Sequence, residues 1–341
     1  MQRLLRLCAC TLAVLALAGA RDGIAAEIPS IRVAVTGAPT QPLNVLFSDA
    51  GIQRKIATNY GKTYVVALNR VTATPIAAQL FATGQIDIAM LAPTTILNMI
   101  RQGIVQKSDL QIVAAGITDG FDGSASTFWA ALKKSNISRS SDLRNKIIAL
   151  NGFGTASDAA LRTMLGRAQL DPDRDVKLVE LAFPNMQTAL EQGRVDVAQF
   201  TVPFSAQLRE LDNSIEIFSF VEAFNGPSYS TVALVNKSVA KRLGGSLRDY
   251  LADLSRGMHW LQDPANREAA LDLATSATSI PRPFLSKYYL TKADQGSDPD
   301  LCVRAAWLQA PLDRMREVST DIDLSSLIDR SYLPEDGRNC K

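Results

Sequence analysis

The first regular pattern in the chain is "IRVAVTG", residues 31–37, where apolar β-branched positions alternate and a glycine ends the run, as in a strand. A helical spacing follows over 43–60 and stops at Gly61, and 63–71 reads as a second strand. "TPIAAQLFATG", 74–84, predicts a helix with Thr72 or Thr74 as N-cap and Gly84 just past its end. A strand over 85–91, a helix over 93–103 with Pro93 in its first turn, and a strand over 110–117 complete the series. The pattern then restarts. It runs through a strand at 127–134, a short turn feeding a strand at 141–151, and a glycine-rich turn opening a helix at 152–170. A strand at 176–181, a helix at 185–193 and strands at 194–200, 215–221 and 230–236 follow, and beyond Ser238 the spacing is helical. Strands and helices alternating at these lengths predict two α/β halves with mostly parallel sheets, plus a helical C-terminal portion.

One phrase occurs in both halves. "GQIDIAMLAPTT" (84–95) is answered by "GRVDVAQFTVPF" (193–204), with Gly84 matching Gly193 and Asp87 matching Asp196. The order of elements on either side also matches, which favours an architectural duplication over two chance look-alike strands. Both aspartates fall within their strands, so they read as structural groups rather than ligand contacts.

The first 26 residues change the picture of the whole. "MQRLLR" is a basic start, "LCACTLAVLALAGA" an apolar run too short for a membrane span, and small residues follow up to Ala26. This is the layout of a secretory leader, with cleavage expected near Ala26 and Ala20 as the competing site. Removing Arg3, Arg6, Arg21 and Asp22 takes Lys+Arg from 36 to 33 and Asp+Glu from 34 to 33. A chain so balanced, with no basic stripe, does not predict nucleic-acid or anionic-membrane binding. Two cysteines then remain, Cys302 and Cys340, and an even pair in an oxidising compartment predicts a disulfide. The expectation is an exported periplasmic protein, monomeric and without a cofactor.

Enzyme apparatus is missing from the motifs. The single histidine, His259, sits in a helical stretch, and there is no G-x-S-x-G, Walker A, H-E-x-x-H or paired C-x-x-C. "GFGTAS" (152–157) departs from a dinucleotide loop at Ser157.

On "LFATGQIDIA", "ALEQGRVDVA", "SDLRNKIIALNGFGTASDAALRTML" and "LDPDRDVKLVEL", the chain resembles the periplasmic substrate-binding proteins of ABC importers. The branch is the one that takes up nitrate, sulfonates, taurine, aromatic acids and thiamine-pyrimidine precursors. Asp142, Leu143, Lys146, Gly152, Gly154, Leu170, Asp175 and Val176 match the family's pattern; Asn145 stands where the family usually has glycine. The resemblance covers roughly the whole exported chain. It implies a type II bilobal fold with a ligand cleft, one lobe from 27–125 plus 227–341 and the other from 126–226, and a membrane permease as partner.

Open α/β sheets bind ligands beyond the carboxyl ends of their strands, where helix N-termini offer N–H groups and partial positive charge. The candidate ligand residues are therefore Thr36 and Gly37, Thr72 and Thr74, Pro93 and Thr94, and the turn of Gly152, Phe153, Gly154 and Thr155. Across the cleft they are Gln199 and Thr201, with Asn225 and Tyr229 at the return crossover. Each threonine serves equally well as an N-cap. Arg70 is a candidate anion clamp, weighed against a solvent-facing strand residue. The expected function is delivery of a small, anionic organic solute to a permease. The alternatives are a subunit that reports ligand to a membrane signalling protein, or a secreted enzyme on the same scaffold.

Overall fold

The computed structural model describes residues 27–36, 40–48, 55–294, 296–313 and 322–340. The leader, its cleavage site and Gly37 lie outside them. Thirteen strands are described: β1 (Ser30–Thr36), β2 (Val65–Val71), β3 (Ile88–Leu91), β4 (Leu110–Ala115), β5 (Ile117–Asp119), β6 (Phe128–Leu132), β7 (Ile147–Leu150), β8 (Lys177–Glu180), β9 (Val197–Phe200), β10 (Ser214–Ser219), β11 (Ser228–Tyr229), β12 (Val232–Asn236) and β13 (Gly296–Ser297). They form two five-stranded sheets, in the orders β2-β1-β3-β12-β4 and β10-β6-β9-β7-β8, and a small one, β11-β5-β13.

Written from the other edge, the second sheet repeats the first. In each, three parallel strands are followed by one antiparallel strand arriving from the other half, and then by an outer strand. The sheets are thus mixed rather than mostly parallel. The returning strands, β12 and β6, run against their neighbours because each enters its sheet from a crossover rather than from a helix of its own half.

Burial on both faces explains the near-continuous apolar strands. Along β1, Ile31, Val33 and Val35 pack with the C-terminal helices, while Ala34 faces the opposite layer with Phe81 and Leu97. In the second sheet, Trp129, Ile148 and Leu150 pack with Leu161 and Leu165 of the helix Ala156–Arg167, and Ala149 faces Leu190 and Phe200.

Two predicted elements are cut by tertiary contacts. The strand over 110–117 breaks at Gly116, where an added Cβ would come within 2.5 Å of the Met90 methyl and 2.6 Å of the Thr231 hydroxyl. The chain passes there from the first sheet into the small one. The helix expected over 43–60 is helical at Pro42–Leu46, ends at Phe47, and after residues outside the description is helical again only at 55–56 before a turn at 58–59. That turn is held by Asp253, which accepts the Asn59 N–H at 2.9 Å and the Tyr64 hydroxyl at 2.9 Å.

Cys302 and Cys340 form a disulfide with Cα atoms 6.0 Å apart, closing part of the C-terminal portion onto itself. No helix among the described residues is long and apolar enough to cross a membrane.

Candidate functional site

The duplicated phrase is a duplicated piece of structure. Helices Thr74–Ala82 and Phe183–Glu191 each carry proline at the second position and end before a glycine with φ of 69° (Gly84) or 67° (Gly193). Three residues on, Asp87 accepts the Arg32 N–H of β1 at 3.0 Å, and Asp196 accepts the Ile147 N–H of β7 at 2.8 Å. The backbone returns the bond in both places, Asp87 N–H to Arg32 C=O and Asp196 N–H to Ile147 C=O. Each aspartate thus fixes the register of a central parallel strand at the end away from the strands' carboxyl termini.

At those carboxyl termini a cleft of about 500 Å³, its open mouth included, lies between the halves. Its walls are paired like the strands that support them. Thr36 ends β1 and Asn151 follows β7. Ala92 follows β3 and Thr201 follows β9. Thr231 precedes β12 and Thr127 precedes β6. At the equivalent helix starts the halves differ, with Thr74 in one and Phe183 in the other. Thr72, Ile117 and Ser230 complete the first wall. Thr155, Ala156, Ser157, Gln199 and Phe220 complete the second. No described lining residue carries an ionised side chain. The starts of helices Thr74–Ala82, Pro93–Arg101, Ala156–Arg167 and Phe183–Glu191 meet here, so partial positive charge comes from backbone dipoles.

Of the residues expected from sequence, Thr36, Thr72, Thr74, Thr155, Gln199 and Thr201 line the cleft. Thr155 is also an N-cap: its hydroxyl donates to Gly152 C=O at 2.7 Å and accepts the Asp158 N–H at 3.4 Å. Gln199 bridges within its wall, donating to Ser157 Oγ at 2.6 Å and accepting the Asn151 N–H at 3.1 Å.

The other described ones do not line it. The Gly154 N–H, expected to face a ligand, donates to Asp158 Oδ2 at 3.0 Å, and the Phe153 N–H donates to Glu180 Oε1. The Phe153 ring is 42% exposed and lies on the outer surface beside Arg162 and Val176. The glycine turn instead clasps the opposite half. Gly154 C=O accepts the Thr94 hydroxyl at 3.2 Å and the Thr95 hydroxyl at 3.0 Å, and Thr95 meets Thr74 Oγ1 at 2.7 Å. Gly152 faces Ala73, where an added Cβ would lie 3.5 Å from the alanine methyl. Pro93 is buried at the helix start beside this contact.

Asn225 holds φ 57° at the end of helix Phe220–Phe224 and accepts from Arg167 at 3.1 Å, outside the lining. Tyr229 is fully buried outside the lining, with its hydroxyl donating to Cys302 C=O and accepting the Arg304 N–H. Arg70 is exposed and donates to Asn44 at 2.9 Å, away from the lining. His259 is half exposed on helix Gly245–Gln262, 2.7 Å from Asp300.

Sequence reasoning missed Thr127, Asn151, Phe183, Phe220, Ser230 and Thr231. The duplication contained a usable signal for two of them: Asn151 and Phe183 are the counterparts of Thr36 and Thr74.

Both crossovers are tied beneath this wall. Asp119, at the end of β5 and 1% exposed, accepts the N–H groups of Ser126 at 3.0 Å and Thr127 at 3.2 Å and the Ser230 hydroxyl at 3.3 Å. Burial pushes its carboxyl pKa up, and these donors work in the opposite sense.

Two sheets of one design, facing a cleft and joined through two crossovers, make the periplasmic-binding-protein fold. The chain belongs to the NMT1-like family, whose model matches residues 42–275. The resemblance read from the sequence is thus borne out in family and fold. The chain is similar to the nitrate import ATP-binding protein NrtC of Synechocystis, 23% identical over 213 residues. That match covers 58% of this chain and 31% of NrtC, so the chain spans about a third of that protein's length. Among solved structures it is similar to the alkanesulfonate-binding protein SsuA of Xanthomonas axonopodis bound to MOPS, with TM-score 0.68 and 17% identity, covering 89% of this chain and 99% of that one. It is also similar to the periplasmic nitrate-binding protein NrtA of Synechocystis, with TM-score 0.58 and 11% identity, covering 80% and 74%.

Proposed function

We propose that the protein is a periplasmic solute receptor that captures a small monoanionic organic solute in this cleft and presents it to the permease of an ABC importer. The observation that carries the reading is the lining itself: several helix N-termini and many hydroxyl and amide groups, with no ionised side chain among the described residues. Helix dipoles and neutral donors suit one delocalised negative charge. A multiply charged anion buried there would lack neutralising partners. Phe183, Phe220 and Ile117 offer apolar surface for an alkyl or aromatic body. The relatives named for sulfonate and nitrate binding support the same class.

Capture then works by closure of two lobes, 27–125 plus 227–341 against 126–226. The crossovers at 124–127 and 225–230 carry the bending. Support comes from the left-handed residues there, Gly123 at φ 75°, Asn225 at 57° and Gly226 at 138°. The lobes act as one monomer, with the leader directing export.

A ligand that binds only the folded protein raises its melting temperature with concentration. Screening the exported chain against sulfonates, aromatic carboxylates, nitrate and pyrimidines should give concentration-dependent shifts within one of these classes. Shifts with sugars or peptides and none with these would overturn the substrate class. A permease and ATPase encoded beside this chain, and uptake lost on its deletion, would establish the transport role.

A further inference from the structure

The hydroxyl groups of the cleft do not all face a ligand in the same sense. A carboxylate only accepts hydrogen bonds, and a serine hydroxyl has one proton to give. Ser230, on the crossover wall, gives its proton to Asp119 Oδ2 and so turns lone pairs towards the cleft. Thr127 beside it gives its proton to Thr201 at 3.3 Å. At the helix-start wall the sense reverses. Ser157 Oγ already accepts the Gln199 amide at 2.6 Å, leaving its own proton to be donated. At the crossovers Ser230 and Thr127 thus show lone pairs, while Thr231 accepts the Ile117 N–H at 3.2 Å and keeps its proton. At the helix starts Thr155 has given its proton to Gly152, so the donors there are Ser157 and the backbone dipoles.

We infer that the ligand is bipolar: its anionic group meets the helix-start wall, and an O–H or N–H donor at its other end meets Ser230, with Asp119 as the positioning residue that makes Ser230 an acceptor. This rests on the anionic reading above and narrows it. An asparagine at 119 would tie the crossovers as well as the aspartate does, because its oxygen could accept the Ser126 and Thr127 N–H groups. Its amide would then donate to Ser230 and free the serine proton to point into the cleft. What distinguishes Asp119 from a merely structural tie is therefore the polarity Ser230 shows.

The test uses matched probes that differ only in a terminal hydroxyl or methyl: 2-hydroxyethanesulfonate against propane-1-sulfonate, and 4-hydroxybenzoate against 4-methylbenzoate. Affinities are measured by calorimetry on the exported chain and its Ser230→Ala and Asp119→Asn variants. The hydroxyl member of at least one pair should bind about tenfold tighter to the parent, and both variants should bring the pair to within about threefold. Equal or tighter binding of the methyl members overturns the inference, as does a preference that survives Ser230→Ala. Loss of preference in Ser230→Ala but not in Asp119→Asn overturns the role of Asp119. Should Asp119→Asn fail to fold, Ser230→Ala still decides the ligand's polarity, since it leaves the tie between Asp119 and the crossover N–H groups in place. Binding of no member of either pair sinks the anionic reading and this inference with it; binding without discrimination sinks only the inference.

Discussion

Residues 74–92 and 183–201 are the same device built twice, and the differences between the copies show which parts carry architecture and which carry recognition. Helix, left-handed glycine, aspartate and strand are common to both. Asp87, however, is 1% exposed and held by the Arg32 and Arg242 guanidinium groups at 2.8 and 2.6 Å, besides the Arg32 N–H. Asp196 is half-buried, and its carboxylate accepts the Ile147 N–H. At the cleft end the copies part company. Thr74 faces Phe183 in role and Ala92 faces Thr201, so the first half offers a hydroxyl where the second offers a ring, and a methyl where the second offers a hydroxyl. A symmetric fold makes an asymmetric site, as a ligand with two unlike ends requires. The first half also carries the C-terminal portion with its disulfide, which the second lacks.

The comparison can be broken at several points. Reducing the Cys302–Cys340 disulfide should have the largest effect. Its loop spans 38 positions, and opening such a loop costs about 4 kcal/mol in the chain-entropy model. Stability in denaturant should fall by that order while ligand affinity changes little, because neither cysteine lines the cleft. A matching loss of affinity would show that the C-terminal portion takes part in capture.

Asp87→Ala should cost about 2 kcal/mol, since it leaves the Arg32 backbone N–H unpaired and removes a buried carboxylate from two half-exposed guanidinium groups. Asp196→Ala, at the same place in the duplicate, should cost about 1 kcal/mol. Equal costs would mean that the arginines add nothing to the shared strand bond. The two positions also differ with pH. Burial works to raise the Asp87 carboxyl, but the Arg32 hydrogen bonds and the charges of Arg32 and Arg242 outweigh it and hold it below the usual carboxylate range. The stability it contributes is therefore present above about pH 4, the unfolded value, and is lost as pH falls further through the depressed one. The gap between the parent and Asp87→Ala should narrow below about pH 4 in acid-unfolding titrations.

Gly154→Val tests the clasp between the halves. The residue holds φ 73°, and a Cβ there would approach Asn98 Nδ2 to 3.2 Å, so backbone strain of about 1–2 kcal/mol adds to a crowded contact. Ligand affinity should fall about tenfold through a weakened closed form, although the Gly154 N–H is taken by Asp158. Unchanged affinity would remove the clasp from the closing mechanism. Thr155→Ala is the smallest of these changes. It removes an N-cap worth about 1 kcal/mol of stability and should leave affinity nearly intact, since the hydroxyl is spent on Gly152 and Asp158.

Much of the architecture was legible in the sequence because it depends on local chemistry. The glycines past the helix ends, the β-branched strands and the paired aspartates each state a backbone requirement that a few residues satisfy. Asn145 is a good case. It replaces the family's glycine and sits at φ 60°, a conformation that asparagine tolerates better than most side chains. What the sequence could not state is which groups are already spent. A glycine turn before a helix exposes its N–H groups, so the sequence points to the Gly154 N–H as a ligand donor. Asp158, four residues on, consumes it, and Thr94 and Thr95 reach across from the other half to its carbonyl. The break at Gly116 likewise depends on Met90 and Thr231, distant in sequence and adjacent only once the sheets are assembled. Secondary structure, duplication and the expected class of fold come from short-range periodicity, and the chain alone determines them. The identity of the cleft walls, the clasp and the polarity of Ser230 come from long-range hydrogen bonds, whose partners are chosen only when the two halves meet.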